Sequence, residues 1–197
     1  MKKVIIYKRF ERFWHWAQAF LVISLILTGL EIHSVYSLFG YFTAFKIHNV
    51  SAWALIILTA FAIFWHFTTG EWRQYIPTTN FLKEMVIFYT KGIFHGEPHP
   101  VKKTELSKLN PLQRLTYLSL KVFILPLQIL SGLAYFFYNE LPSIGLHPSL
   151  DTVATVHVVM NFLLIAFVIA HVYLTTTGHT IFSNIKAMMV GWEELED

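Results

Sequence analysis

The sequence predicts an all-α protein, an integral membrane four-helix bundle in one domain spanning 1–197, and three observations carry that prediction. Hydrophobic residues make up 55% of the 197 and charged residues 14%, with a mean hydropathy of +0.51, far from the balance of a soluble domain. Uncharged runs cover Phe13 to Leu30, Ile47 to Gly70, Val122 to Asn139 and Thr152 to Ile185, each long enough for one crossing of roughly 20 residues. Lysine and arginine gather in alternate connections. The runs lack the alternation of barrel strands, and lipid offers no partner for unpaired backbone, so helices are the expected spanning element.

Taken in order, the first helix is expected at about 13–32, behind Lys2, Lys3, Lys8, Arg9 and Arg12. Its start resembles a secretory signal, but the run is longer than a signal core. It also contains Trp14-His15-Trp16 and leads into Glu31-Ile32-His33 rather than a small-residue cleavage site, so it is expected to be retained. The second helix is expected at about 43–69. In the long connection that follows, Phe81 to Tyr89 mixes apolar and charged residues and is too short to span, which predicts a helix on the membrane surface at about 81–94. Gly96-Glu97-Pro98-His99-Pro100 breaks any helix after it.

Asn110-Pro111 reads as the cap and first residue of a third helix at about 112–138. Pro126 should kink that helix and free the carbonyl of Val122. The fourth helix is expected at about 151–176.

Charge sets the expected orientation. The N-terminal segment carries five basic residues, and the connection from Glu71 to Arg114 carries Arg73, Lys83, Lys91, Lys102, Lys103, Lys108 and Arg114. The 32–45 and 140–151 connections have no lysine or arginine. The positive-inside rule then places both termini and the long connection in the cytoplasm. The net charge of +3 is explained by this topology, and no nucleic-acid partner is expected. There is no cysteine, which excludes disulfides, thiolate-bound iron–sulfur clusters and covalent c-type haem attachment.

Histidines inside the apolar runs mark function, because a titratable side chain is costly there. His157 and His171 are 14 apart, nearly four turns, and so share one helix face at a separation of about 21 Å. His48 and His66 share a face of the second helix. Sorted by depth, His48 and His157 form an outer tier and His15, His66 and His171 an inner one. Axial ligation of haem needs imidazoles facing each other from different helices, and two haems fit this arrangement. With both axial positions filled, such an iron carries electrons rather than activating a ligand.

Thr28-Gly29 and Ser131-Gly132 let a neighbouring backbone or flat ring approach closely. Lys121 either snorkels to the inner surface or contacts a haem propionate or quinone oxygen. His66 suits an interfacial or propionate-contacting role. His179, just past the fourth helix, suits contact with a lipid headgroup or a quinone. His33, His95, His99 and His147 read as solvated loop residues.

The segment Arg9-Phe10-Glu11-Arg12-Phe13-Trp14-His15-Trp16, then Leu27-Thr28-Gly29, His48, and His157 with His171, resembles the dihaem b-type cytochrome family, with Asn110-Pro111-Leu112-Gln113-Arg114 as a further similar segment. Its members are membrane subunits of formate dehydrogenase, nickel–iron hydrogenase and thiosulfate-type reductases. The resemblance implies two haem b groups, with His48 and His157 holding the outer iron and His15 and His171 the inner one.

It further implies quinone chemistry, with menaquinone or ubiquinone as substrate, at the inner end. An extracytoplasmic iron–sulfur or multihaem cytochrome subunit, with its catalytic subunit, is the implied partner. The expected role is a multi-pass electron-transfer subunit of an oxidoreductase complex in the prokaryotic cytoplasmic membrane, carrying a quinone reductase or quinol oxidase site near His171, Lys121, Tyr117 and His179. Two alternatives are a histidine-lined divalent-metal transporter and a non-haem membrane anchor of such a complex.

Overall fold

The computed structural model describes residues 2–101, 108–178 and 180–195. A short strand β1 (Lys2–Ile5) leads into α1 (Arg9–Ile32) and α2 (Tyr41–Thr69). After a tight turn at Glu71–Tyr75 comes α3 (Leu82–Thr90), followed by another at Gly92–His95. The third spanning helix, Pro111–Phe136, is built from α4 (Pro111–Ser119), a wide π turn at Leu120–Ile124 and α5 (Leu125–Phe136). Then follow α6 (Leu150–Thr175), α7 (Ser183–Val190) and strand β2 (Trp192–Leu195). Four helices are long and apolar enough to cross a membrane, and they pack as two hairpins, α1 on α2 and α5 on α6.

Local chemistry explains the boundaries. The Asn110 side chain accepts the Gln113 N–H at 2.9 Å while the Gln113 side chain accepts the Asn110 N–H at 3.1 Å, a reciprocal cap with Pro111 at the first helical position. Ser149 caps α6 through the Thr152 N–H at 3.1 Å. At the far end of α1, buried Glu31 uses one carboxylate oxygen to accept the N–H groups of Leu38, Phe39 and Gly40, each at 2.7 Å. Those donors precede α2, so Glu31 caps the next helix, aided by Gly40 at a φ of +80°.

The third span is irregular just ahead of Pro126. The Leu125 N–H donates to the Leu120 carbonyl five residues back, so the helix widens for one turn. Pro126 has no N–H to offer, and the wider turn lies directly before it, where the helical ladder is interrupted. Lys121 lies inside this turn.

In lipid, apolar side chains gain nothing by leaving water, so close packing and small residues must hold the helices together. Val22, Leu55, Leu120, Leu125 and Leu164 form the buried mid-bundle core, with Ile26 and Phe167 against it. Outward, Phe20, Phe42, Phe61, Phe64 and Phe162 are exposed, as a lipid-facing surface requires.

The two termini meet at one end. β1 and β2 pair antiparallel with Val4 opposite Glu193 and Ile5 opposite Trp192. Arg12 donates to the Met189 carbonyl at 2.7 Å and Trp16 to that of Met188 at 3.3 Å, pinning the C-terminal segment to the base of α1. Neither the strands nor α7 was expected from the sequence. The surface helix expected at 81–94 stops at Thr90, and its Met85 and Phe88 are buried, so it is docked rather than loosely laid down. His99 is an exposed loop residue, as expected, whose Nδ1 bonds the Val101 carbonyl at 2.6 Å and whose ring lies 5.0 Å from that of Phe88.

Candidate cofactor sites

Four histidines meet as two pairs. His48 lies seven residues into α2 and His157 seven residues into α6, so both sit at one depth, about 10 Å below the helix starts. Their ring centroids are 6.4 Å apart. His15, near the start of α1, faces His171, near the end of α6, at 6.1 Å. The inner pair lies at the terminus-bearing end and the outer pair at the opposite one, with the apolar core between them.

These separations permit a direct test of fit. A metal–imidazole bond is about 2.0–2.1 Å and a ring nitrogen lies about 1.1 Å from its own centroid, so two imidazoles in line on one ion have centroids about 6.3 Å apart. Both pairs match that value. The interplanar angles are 66° and 50°, so neither pair is stacked.

Hydrogen bonding prepares the outer imidazoles for ligation. Thr28 Oγ1 donates to the Ser24 carbonyl at 2.7 Å, so toward His48 Nδ1, 3.0 Å away, it must accept. Ser131 repeats the device from α5: its hydroxyl donates to the Leu127 carbonyl at 2.7 Å and lies 3.1 Å from His157 Nδ1. Each hydroxyl therefore holds the proton on Nδ1 and leaves the Nε2 lone pair for a metal, the usual outer-sphere arrangement of a ligating histidine.

The following glycines make room. A Cβ on Gly29 would sit 3.5 Å from the His48 ring, and one on Gly132 only 3.2 Å from that of His157. The Gln128 amide nitrogen lies 3.2 Å from His157 Nε2, so that side chain would have to move aside for the nitrogen to take a metal.

The inner pair is held differently. His171 Nδ1 faces the Tyr117 hydroxyl at 3.2 Å, and its ring stacks on Phe167 at 5.7 Å. His15 Nδ1 is buried and has no hydrogen-bond partner among the described residues, while Trp16 meets the His15 ring edge-on. His66, grouped with these two by depth, turns elsewhere. Its Nδ1 bonds the Ala62 carbonyl at 2.6 Å, and its Nε2 lies 3.4 Å from both the Tyr75 hydroxyl and the Lys121 ammonium.

Lys121 does not snorkel outward. Its Nζ rests 3.3 Å from the Tyr75 ring centroid and 4.9 Å from that of Trp14, a cation held on aromatic faces. Tyr117 and Lys121, one turn apart, thus serve different histidines. His179 lies outside the described residues.

Sequence reading missed the charged cluster beside His66. Lys108, itself buried, bonds both oxygens of Glu11 at 2.9 and 3.1 Å and one of Glu71 at 3.1 Å, while Lys8 bonds the other at 2.6 Å. Burial raises the Glu71 carboxyl, but the bonds from Lys8 and Lys108 outweigh it and hold the group below its ordinary value. Burial pushes the Tyr75 phenol well up, with the nearby Glu11 charge adding to it. These residues looked like loop charge because their partners are 37, 63 and 97 positions away.

Comparison with known proteins identifies a family. The family model described as prokaryotic cytochrome b561 matches residues 6–191. The Escherichia coli (strain K12) protein named "Putative cytochrome YdhU" is 29% identical over 199 residues, covering 97% of this chain and 75% of that relative. No solved structure matches.

Proposed function

Because this chain belongs to the prokaryotic cytochrome b561 family, we propose that its four paired histidines hold two b haems and pass electrons between a quinone pool and an extracytoplasmic redox partner. At the coarser level it is a b-type cytochrome, a multi-pass membrane electron-transfer protein. The observation that carries the finer reading is the recurrence of one imidazole spacing, 6.4 and 6.1 Å, at two depths. A haem iron with two imidazole ligands supplies reversible one-electron chemistry and no open position. The chain supplies the rest: His48 and His157 bind at the outer end, His15 and His171 at the inner, and the core of Val22, Leu55, Leu120, Leu125 and Leu164 excludes water between them.

The inner end suits a quinone. Its headgroup needs hydrogen bonds at its oxygens, and Tyr117 and Lys121 project from one helix toward this end with His179 following α6 in the chain. In this reading the partner, an iron–sulfur or multihaem subunit with its catalytic subunit, docks at the outer end, and the membrane is the prokaryotic cytoplasmic one. A metal transporter is disfavoured, because no group of three or more His, Cys, Asp or Glu side chains converges among the described residues.

Haem stoichiometry of the purified chain tests the dihaem reading: two per chain supports it and one overturns it. Quinone-dependent haem oxidation in Lys121→Met and Tyr117→Phe tests the quinone site. Unchanged rates and inhibitor binding in both variants, with haem content intact, rule out that pocket.

A further inference from the structure

We propose that His66, Tyr75 and Lys121 form a proton path from the terminus-bearing surface to the inner redox site, with Glu11, Glu71 and Lys108 at its mouth. The inference rests on the quinone reading above, since quinol oxidation releases two protons along with two electrons and quinone reduction takes up the same number. The electrons go to the haems, so the protons need a route of their own.

His66 is 8% exposed, and an ionisable side chain at that depth is costly unless it serves a purpose. The Ala62 carbonyl holds a proton on Nδ1 and leaves Nε2 as the exchanging nitrogen. That nitrogen faces a donor on each side, Lys121 Nζ and the Tyr75 hydroxyl, both at 3.4 Å. Contacts of this length close by a small side-chain shift or through one water. A proton accepted at Nε2 from Lys121 passes to the Tyr75 oxygen as the Tyr75 hydroxyl gives its own proton to water in the cavity beyond, Lys121 regains a proton from the quinol, and the reverse sequence carries a proton inward. Only N–H and O–H bonds form and break.

Beyond His66 and Tyr75 the path is open to water. A cavity lined by both residues together with Glu11, Glu71 and Lys108 has a volume of about 40 Å³, enough for about three or four waters at roughly 10–15 Å³ each. At its edge Glu71 reaches Lys8, whose side chain is 56% exposed. The groups facing the imidazole from the surrounding elements are Tyr75, Lys121 and the ring of Trp14, with Glu11, Glu71, Lys108 and Tyr7 across the cavity. At the other end, Lys121 is one turn from Tyr117, which touches His171.

The test uses the haem-loaded full chain in lipid nanodiscs, with duroquinol as electron donor and a pH-indicator dye to follow proton release. His66→Gln keeps a donor for the Ala62 carbonyl but cannot cycle a proton. It should slow duroquinol-driven haem reduction and proton release together by about a hundredfold, and imidazole in the buffer should restore part of the rate. Haem content, both midpoint potentials and dithionite reduction should stay at wild-type values.

Tyr75→Phe keeps the packing and should slow the same step less, with a larger solvent isotope effect. Wild-type rate and isotope effect in both variants overturn the path while leaving the quinone reading intact. Loss of haem from His66→Gln also overturns it, because His66 would then be a ligand. Failure of duroquinol to reduce the wild-type haems overturns the quinone reading and the path with it.

Discussion

The outer and inner histidine pairs have nearly the same spacing and opposite surroundings. Around His48 and His157 each Nδ1 is engaged by a hydroxyl from the helix that precedes it in the chain, each ring lies against a glycine, and the core seals one side. Around the inner pair, one Nδ1 faces a phenol, the other has no partner among the described residues, and a cavity lined by His66, Glu11, Glu71 and Lys108 lies at the same end of the bundle. Electron transfer needs ligands held in fixed orientation, and the hydroxyls and glycines around the outer pair supply that. Coupling electrons to protons needs titratable groups near water, and the inner end gathers Glu11, Glu71, Lys108, Tyr75 and His66 around one small cavity.

The sharpest way to break this comparison is to remove ligands. His48→Ala and His157→Ala should each leave about one haem per chain, and the double variant should lose no more than either single. Pyridine haemochrome stoichiometry measures this, and two haems lost from the double variant would show that the histidines serve different irons.

A second test concerns the inner set. His15→Ala should lose the inner haem, whereas His66→Ala should keep both, because the structure turns His66 toward Ala62, Tyr75 and Lys121 rather than toward His171. The opposite pattern of haem content, in variants shown to be folded by circular dichroism, would exchange their roles.

Smaller effects sharpen the contrast in outer-sphere support. Thr28→Val and Ser131→Ala take away the hydroxyl that faces an outer Nδ1, which should weaken retention of the outer haem by about 10–100-fold. Transfer of haem to apomyoglobin measures it, and inner-haem transfer should not change. Gly132→Ala should disturb the outer site more than Gly29→Ala, since its Cβ would meet the ring at 3.2 rather than 3.5 Å.

The smallest effect is on acid stability. The Glu71 carboxyl is held below its ordinary value of 4.5, so its contribution to stability is complete above that pH and is lost as pH falls through the lower folded value. Glu71→Gln should flatten the acid side of the thermal-stability profile and leave the neutral region's slope alone. An unchanged acid limb would mean that other carboxylates govern it.

Much of this organisation is written in the chain itself. Span number, the Asn110 cap and the depth of each histidine follow from composition and helical period, because lipid forces the backbone into helices and a helix converts residue number directly into height. Height alone could not separate His66 from His15 and His171, since it leaves open the direction in which each side chain turns. That direction was decided by packing: the Ala62 carbonyl takes one nitrogen of His66, and Tyr117 reaches His171 from a third helix.

The same limit hid the roles of Thr28 and Ser131, which looked like packing residues and became orienting ones only when α1 met α2 and α5 met α6. It also hid the ion cluster, whose members Glu11, Glu71 and Lys108 come from segments far apart in the chain. Periodicity reports what lies along one helix. Which side chain of a second helix comes within 3 Å depends on crossing angle and rotation about the axis, and those are set by the sum of many weak contacts that no single segment contains.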